Sequence, residues 1–372
     1  MPMPPPLVGP KFGSYSPDEV GWLLTDLSTA ELEVETALRE LEIQSGRAHY
    51  AESLPIEYQP NSSYRTLFAD VLTETAPRLA TAVGVVTELV IAERGHDIVL
   101  VSLARAGTPI GILMRRWAAR HHQLQLPHYA ISIVRDRGID ATALQYLSDH
   151  HDPAKVVFVD GWTGKGAITQ ELTSALAAHA NETGVQFNPD LAVLADPGHC
   201  VKTFGTRDDF LIASACLNST VSGLISRTVL NRNLLGPNDF HGAKFYQDLA
   251  AHDQSGSFLD TITFYFDDVS DAAARQSAVL TRTDRTPSWS GMASVERLRH
   301  DYQIATTNYV KPGIGETTRV LLRRVPWRII VREIDDPEHR HIRLLAADRG
   351  VPVVCDPSLT YACVGLIKDV TE

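Results

Sequence analysis

At 372 residues, with 44% apolar and 21% charged residues, the chain is long enough for two or three domains with buried cores and too apolar for wholesale disorder. Its 34 basic against 45 acidic residues give −11, which excludes a general nucleic-acid coat or an anionic-membrane binder, whereas 12 basic and 11 acidic residues from Pro287 onward confine any nucleic-acid contact to the C-terminal quarter. Four cysteines (Cys200, Cys216, Cys355, Cys363) with no C-x-x-C pair exclude a disulfide framework and a thiolate zinc site, and no leader or apolar run of ~18 residues is evident, which predicts a cytoplasmic protein with no membrane contact.

The first ten residues, five of them proline, cannot nucleate a helix. Ser16-Pro17-Asp18-Glu19 and Ser28-Thr29-Ala30-Glu31 have the form of capping boxes, and the apolar residues behind them predict two short helices reaching Leu41. Residues 45–63 read as a polar loop or hood carrying Tyr50 and Tyr58, with Tyr64 just beyond. A long helix over 63–94 is expected to break near Pro77. Alternation follows: strands at 98–101, 129–134, 156–159, 191–194 and 210–213, with helices from near Pro109 and over 166–180. Such strand–helix alternation predicts an α/β fold, a parallel sheet with helices on both faces, whose ligands bind at the carboxyl ends of the strands. Arg105, Arg135 and Asp160 each follow directly on a strand. Residues 267–290 lack an apolar period and read as a linker. Beyond them, strands at 327–331 and 351–355 flank a helix over 339–349. The expected division is 1–62 as helical extension and hood, 63–285 as the α/β domain and 286–372 as a small α/β/α domain.

The sharpest local signal is Val156 to Ile168, V-V-F-V-D-G-W-T-G-K-G-A-I. An apolar strand delivers Asp160, and the turn Thr163, Gly164, Lys165, Gly166 and Ala167 opens a helix. Glycine amides, the positive end of the helix and the lysine together suit a phosphate, while the acid can accept from sugar hydroxyls. The spacing fits neither a Walker loop nor a dinucleotide fingerprint.

This strand–acid–T-G-K–helix pattern resembles the 5-phosphoribosyl-1-pyrophosphate (PRPP) motif of type I phosphoribosyltransferases. Ala104, Arg105, Ala106 and Gly107 resemble that family's pyrophosphate loop, and Arg135-Asp136-Arg137-Gly138 its mobile basic loop. The D-G-W-T-G-K-G form, with Ser222 to Thr228 and Phe240 to Lys244, is similar to a divergent group from tellurium-resistance and stress operons, also labelled StiP. The resemblance implies a transferase-like fold, PRPP with Mg²⁺ as co-substrate, a base-like acceptor, Asp160, Arg105, Arg135 and Arg137 as catalytic residues, and dimers as a common state. Asp160 stands alone where the family usually has two acids.

Gly313-Ile314-Gly315-Glu316-Thr317-Thr318-Arg319 resembles the RNA-binding turn of the pelota and kink-turn-binding ribosomal family. That resemblance implies structured RNA as a partner, met by Gly313, Gly315, Glu316, Thr318 and Arg319. Two other readings stand beside the transferase: a non-catalytic regulator that senses a ribose phosphate and binds RNA, and a cysteine-protease-like hydrolase using Cys200, beside His199, or Cys216. Were residues 199–200 extended, neighbouring side chains would point to opposite faces and His199 could not readily activate Cys200.

Overall fold

The computed structural model describes residues 3–35, 39, 49–57 and 62–367. Six parallel strands form the main sheet: β1 (Gly21–Trp22), β2 (Val99–Ala104), β3 (His128–Val134), β4 (Val156–Trp162), β5 (Leu191–Ala195) and β6 (Thr203–Thr206), in spatial order β1-β3-β2-β4-β5-β6. Gly138–Ile139 adds a short antiparallel pair at the end of β3.

Strand alternation sends side chains to two cores. Leu100, Val157 and Val159 face one, closed by helices α1 (Ser62–Arg94) and α2 (Gly107–His122); Val99, Val101 and Phe158 face the other, closed by α3 (Ala141–His150) and α4 (Ala167–Thr183). Helices α5 (Ser255–Phe264) and α6 (Phe266–Thr281) pack outside α1 and α2. Over Arg65–Arg94, α1 is long and apolar enough to cross a membrane, but 67% of its most apolar window is buried inside the protein.

The C-terminal unit has a four-stranded sheet of β7 (Val310–Pro312), β8 (Pro326–Val331), β9 (Val353–Cys355) and β10 (Cys363–Ile367), ordered β7-β10-β8-β9. Helices α7 (Ser290–Asp301), α8 (Ile314–Arg323) and α9 (Arg340–Asp348) cover it. Val295, Leu298, Val310, Ile330, Val364 and Leu366 form its own core.

Several expected elements differ. Residues 16–27 hold no helix: the first capping box closes a turn in which the Glu19 amide donates to the Ser16 carbonyl at 3.0 Å, and Gly21–Trp22 pairs with β3 as an edge strand. Glu33–Val34 likewise pairs as a strand with Leu54–Pro55, and the end of the second expected helix, with Tyr58, lies outside the described residues. Helix α1 runs unbroken through Pro77, because Leu72, Ala76, Leu79, Ala80 and Val83 keep one buried face across it. The expected linker begins inside α6, and residues 210–213 lead into a 3-10 turn, Ala213–Cys216, rather than a strand; the sheet's edge is β6 instead. Ser222–Thr228 and Phe240–Lys244 pair with each other, the Ser226 amide donating to the Lys244 carbonyl at 2.9 Å.

Candidate functional site

Strand order reverses between β2 and β4, so their carboxyl ends open the crevice where such sheets take ligands. The Ala104–Gly107 loop leaves β2 and packs on β4 so tightly that a Cβ on Gly107 would fall 2.3 Å from the Val159 carbonyl oxygen. Arg105 reaches the hood, donating to the Ile225 carbonyl at 3.2 Å and standing 3.7 Å from Glu57.

At the end of β4, burial pushes the Asp160 carboxyl up to about 7, although it accepts from the Gly161 amide at 2.7 Å. The turn that follows faces a cleft of about 210 Å³ lined by Arg135, Asp160, Trp162, Lys165, Lys311 and Glu316. Lys165 donates across it to the Thr307 carbonyl at 2.5 Å; burial, with Lys311 and Arg135 nearby, brings its ammonium down to about 8. Gly166 has φ +79°, and a Cβ there would lie 2.3 Å from the Trp289 ring and 2.8 Å from the Cys200 sulfur. No other residue fits that position.

Not every expected ligand residue joins this cleft. Thr163 lines the cleft, but its hydroxyl donates to the Asp196 carboxylate and is spent there. Arg137 lines a separate charged cleft of about 700 Å³ with His49, Asp136 and Arg232, beside Glu171, whose carboxylate accepts from the amides of Asp136 and Gly138. Arg135 and Arg137 therefore serve different surfaces.

The turn Gly313–Arg319 docks against the α/β unit. Gly313 takes φ +89°, and the Ile314 amide at the front of α8 donates to Asp209 at 3.0 Å; the Ala362 amide donates to the other oxygen at 2.9 Å. Burial pushes that carboxyl up to about 6. Arg319 donates to the Ala215 carbonyl at 3.1 Å and to Glu316 at 2.9 Å, with its guanidinium 5.3 Å over the Trp162 ring. Thr318 bonds the Ile314 carbonyl and His341, and Gly315 packs near Ala215.

Behind the glycine-rich turn lies a thiol. Residues 196–200 form a turn, not a strand: His199 has φ +54°, so the opposite-face argument against pairing it with Cys200 does not apply. Asp196, fully buried, accepts from the Cys200 amide at 2.8 Å, the Val201 amide at 3.3 Å and Arg207 at 2.7 Å. Sequence reasoning missed this residue, although an acid directly after the apolar strand β5 repeats the rule that found Asp160. Trp289 donates its amide to the His199 carbonyl at 3.0 Å, and the Gly291 amide donates to Gly198 at 3.1 Å. Cys200 is 1% exposed and donates to the Gly198 carbonyl at 3.3 Å; burial and the Asp196 charge push it up to about 12. It lines a cleft of about 690 Å³ with Glu93, Thr169, Asp190, Lys202 and Trp289. Burial lowers the His199 imidazole, which is neutral at pH 7. Among the described residues, no cluster of three or more His, Cys, Asp or Glu could hold a metal ion.

Comparison with known proteins bears on these geometries. Residues 13–263 match the family model described as tellurite-like stress resistance cysteine protease StiP, and residues 289–369 match that of the PELOTA RNA binding domain. The chain is 35% identical, over 96% of its length and 94% of the relative's, to "Cysteine protease StiP" of Acinetobacter baylyi. These matches overturn the transferase expected from the PRPP-like motif, and with it the PRPP, magnesium and acceptor chemistry: nothing in them points to a phosphoribosyltransferase. The stress-resistance and RNA-binding-domain parts of the sequence reading agree with them. The physical reason for the error is local. A strand-end acid and a T-G-K turn specify a shape suited to an anion, not a reaction.

Proposed function

The chain belongs to the StiP family of tellurite-like stress resistance cysteine proteases, and from that membership we propose a thiol-dependent hydrolase of a stress response, with Cys200 as nucleophile, joined to an RNA-binding unit. The observation that selects Cys200 is its place on the wall of the 690 Å³ cleft, between α4, the start of β5 and Trp289, with the neutral His199 next to it in the chain. Cys216 and Cys363 are sealed in cores, and the exposed Cys355 donates to the Arg332 carbonyl.

In this reading the Cys200 thiolate adds to the carbonyl carbon of a substrate amide, the amine leaves with a proton, and water then releases the acyl group. His199 takes the thiol proton. A thiol pushed up to about 12 is protonated at neutral pH, so the arrangement described is a resting one. Reaction requires the 196–200 turn to loosen until the thiol leaves the Gly198 carbonyl. Peptide hydrolysis by the full chain tests the reading: Cys200→Ala lowers kcat by about 10³-fold or more, while Cys216→Ala leaves it unchanged. Equal activity of Cys200→Ala and the unaltered chain would reject the assignment.

The RNA part of the proposal is supported by the match over 289–369. Residues 286–372 bind structured RNA through the Gly313–Arg319 turn, with Lys311 and Arg319 meeting phosphates. A gel shift with a bulged hairpin RNA at ~50 mM salt, where phosphate contacts are strongest, tests this; no shift by the full chain or by its Asp209→Ala form ends it.

A further inference from the structure

The front of α8 is occupied by a carboxylate of the same chain. The Ile314 and Ala362 amides converge on the two oxygens of Asp209, and a Cβ on Gly313 would stand 3.3 Å from one of them. The Ile314 amide at the positive end of α8 and the Ala362 amide at the start of β10 are donors a phosphate oxygen would use, and a carboxylate and a phosphate cannot both sit there. Around this contact the units are joined by the Lys165 ammonium on the Thr307 carbonyl, the Tyr361 hydroxyl on the Gly164 carbonyl at 2.9 Å, and Arg319 on Ala215. The side of the turn that would meet RNA therefore faces inward, toward Trp162 and Asp209.

We infer that Asp209 is an internal phosphate mimic that latches the RNA-binding turn shut, so that RNA and the α/β unit compete for the front of α8. This rests on the RNA-binding reading above. Its energetic basis is the charge-assisted hydrogen bonds of Asp209, which RNA must replace before it binds. The affinity of the full chain for RNA is thus set by the difference between two anions at one site.

Anisotropy titration of the full chain with a labelled bulged hairpin RNA tests the latch. Asp209→Ala, which removes the competing carboxylate, is expected to tighten binding about tenfold. Tyr361→Phe deletes one neutral bond between the units and tightens binding about threefold; it decides the matter if Asp209→Ala does not fold. Folded variants that bind with unaltered affinity, while Arg319→Glu loses binding, overturn the latch and leave the RNA reading standing. Absence of binding by every form, Asp209→Ala included, removes the RNA reading and the latch together.

Discussion

Asp196 takes the Thr163 hydroxyl, the amides of Cys200 and Val201 and the Arg207 guanidinium, so one carboxylate fixes both the glycine-rich turn and the thiol turn. Asp196→Ala would leave Arg207 without its carboxylate and the Cys200 and Val201 amides without their acceptor, and should cost roughly 3–5 kcal/mol in urea unfolding. Asp196→Asn keeps the shape but removes a charge that holds the Cys200 proton, so the pH profile of iodoacetamide labelling at Cys200 shifts to lower pH. Asp160 gives a second test. Its folded carboxyl is near 7, against an ordinary value of about 3.9. Below the ordinary value both states are protonated and nothing differs. Above it the unfolded chain releases a proton that the native state still holds, so this group's contribution to stability is lost as pH rises toward 7. Asp160→Asn should therefore match the unaltered protein at pH 4 and exceed it at pH 8 in chemical denaturation. Asp160, Lys165, Gly166 and Arg135 were legible as one cleft because strand ends and helix starts place them. The directions of Thr163, Arg105 and Arg137 were not, because their partners Asp196, Ile225 and Glu57, and the cleft around Arg232, lie far away in sequence.

Helix crossings set what could be read at the next scale. A Cβ on Gly84 of α1 would lie 2.5 Å from the Trp117 ring of α2 and 2.7 Å from Ala273 of α6. Gly84→Ala would gain about 1 kcal/mol of helix propensity, but overpacking at that distance costs about 1–3 kcal/mol and wins; a lowered urea midpoint at unchanged slope is the expected result. The same crossing explains why α6 looked like a linker. Its buried face is carried by Phe266, Ala273 and Ser277, and small residues at a close contact leave no apolar period to detect. The main strands, β2 to β5, were legible because both of their faces are buried and their runs are continuously apolar. At the amino end, Val20, Trp22 and Leu24 alternate as an edge strand does, but a run so short also fits a helical spacing.

For the molecule as a whole, charge separates the units: the C-terminal 86 residues are nearly neutral while the remainder carries the acidic excess. On the proposed RNA-binding reading, the acidic α/β unit would repel RNA and direct contact to the seam where Lys165, Lys311 and Arg319 gather. Arg319→Glu should weaken RNA binding by about tenfold or more and flatten the salt slope by about one, read from gel shifts across a salt series. Division into an α/β unit and a compact C-terminal unit was visible in the order of apolar runs. The cysteine hydrolase was legible only as a lesser alternative, with Cys200 and Cys216 both open, because a thiol's setting is not local: the walls around Cys200 come from β5, α4 and Trp289, which no stretch of sequence brings together.

One consequence follows from the two backbone bonds by which Trp289 and Gly291 grip His199 and Gly198. They form a clasp: under the latch proposed above, a polynucleotide that pries the C-terminal lobe away would also have to undo it and uncover the sulfur beneath. An adduct on the sulfur that holds the clasp open would in turn ease polynucleotide capture, since both act on one opening equilibrium. The rate of chemical trapping at Cys200 would thus serve as a gauge of occupancy at the opposite lobe, with no labelled nucleic acid required.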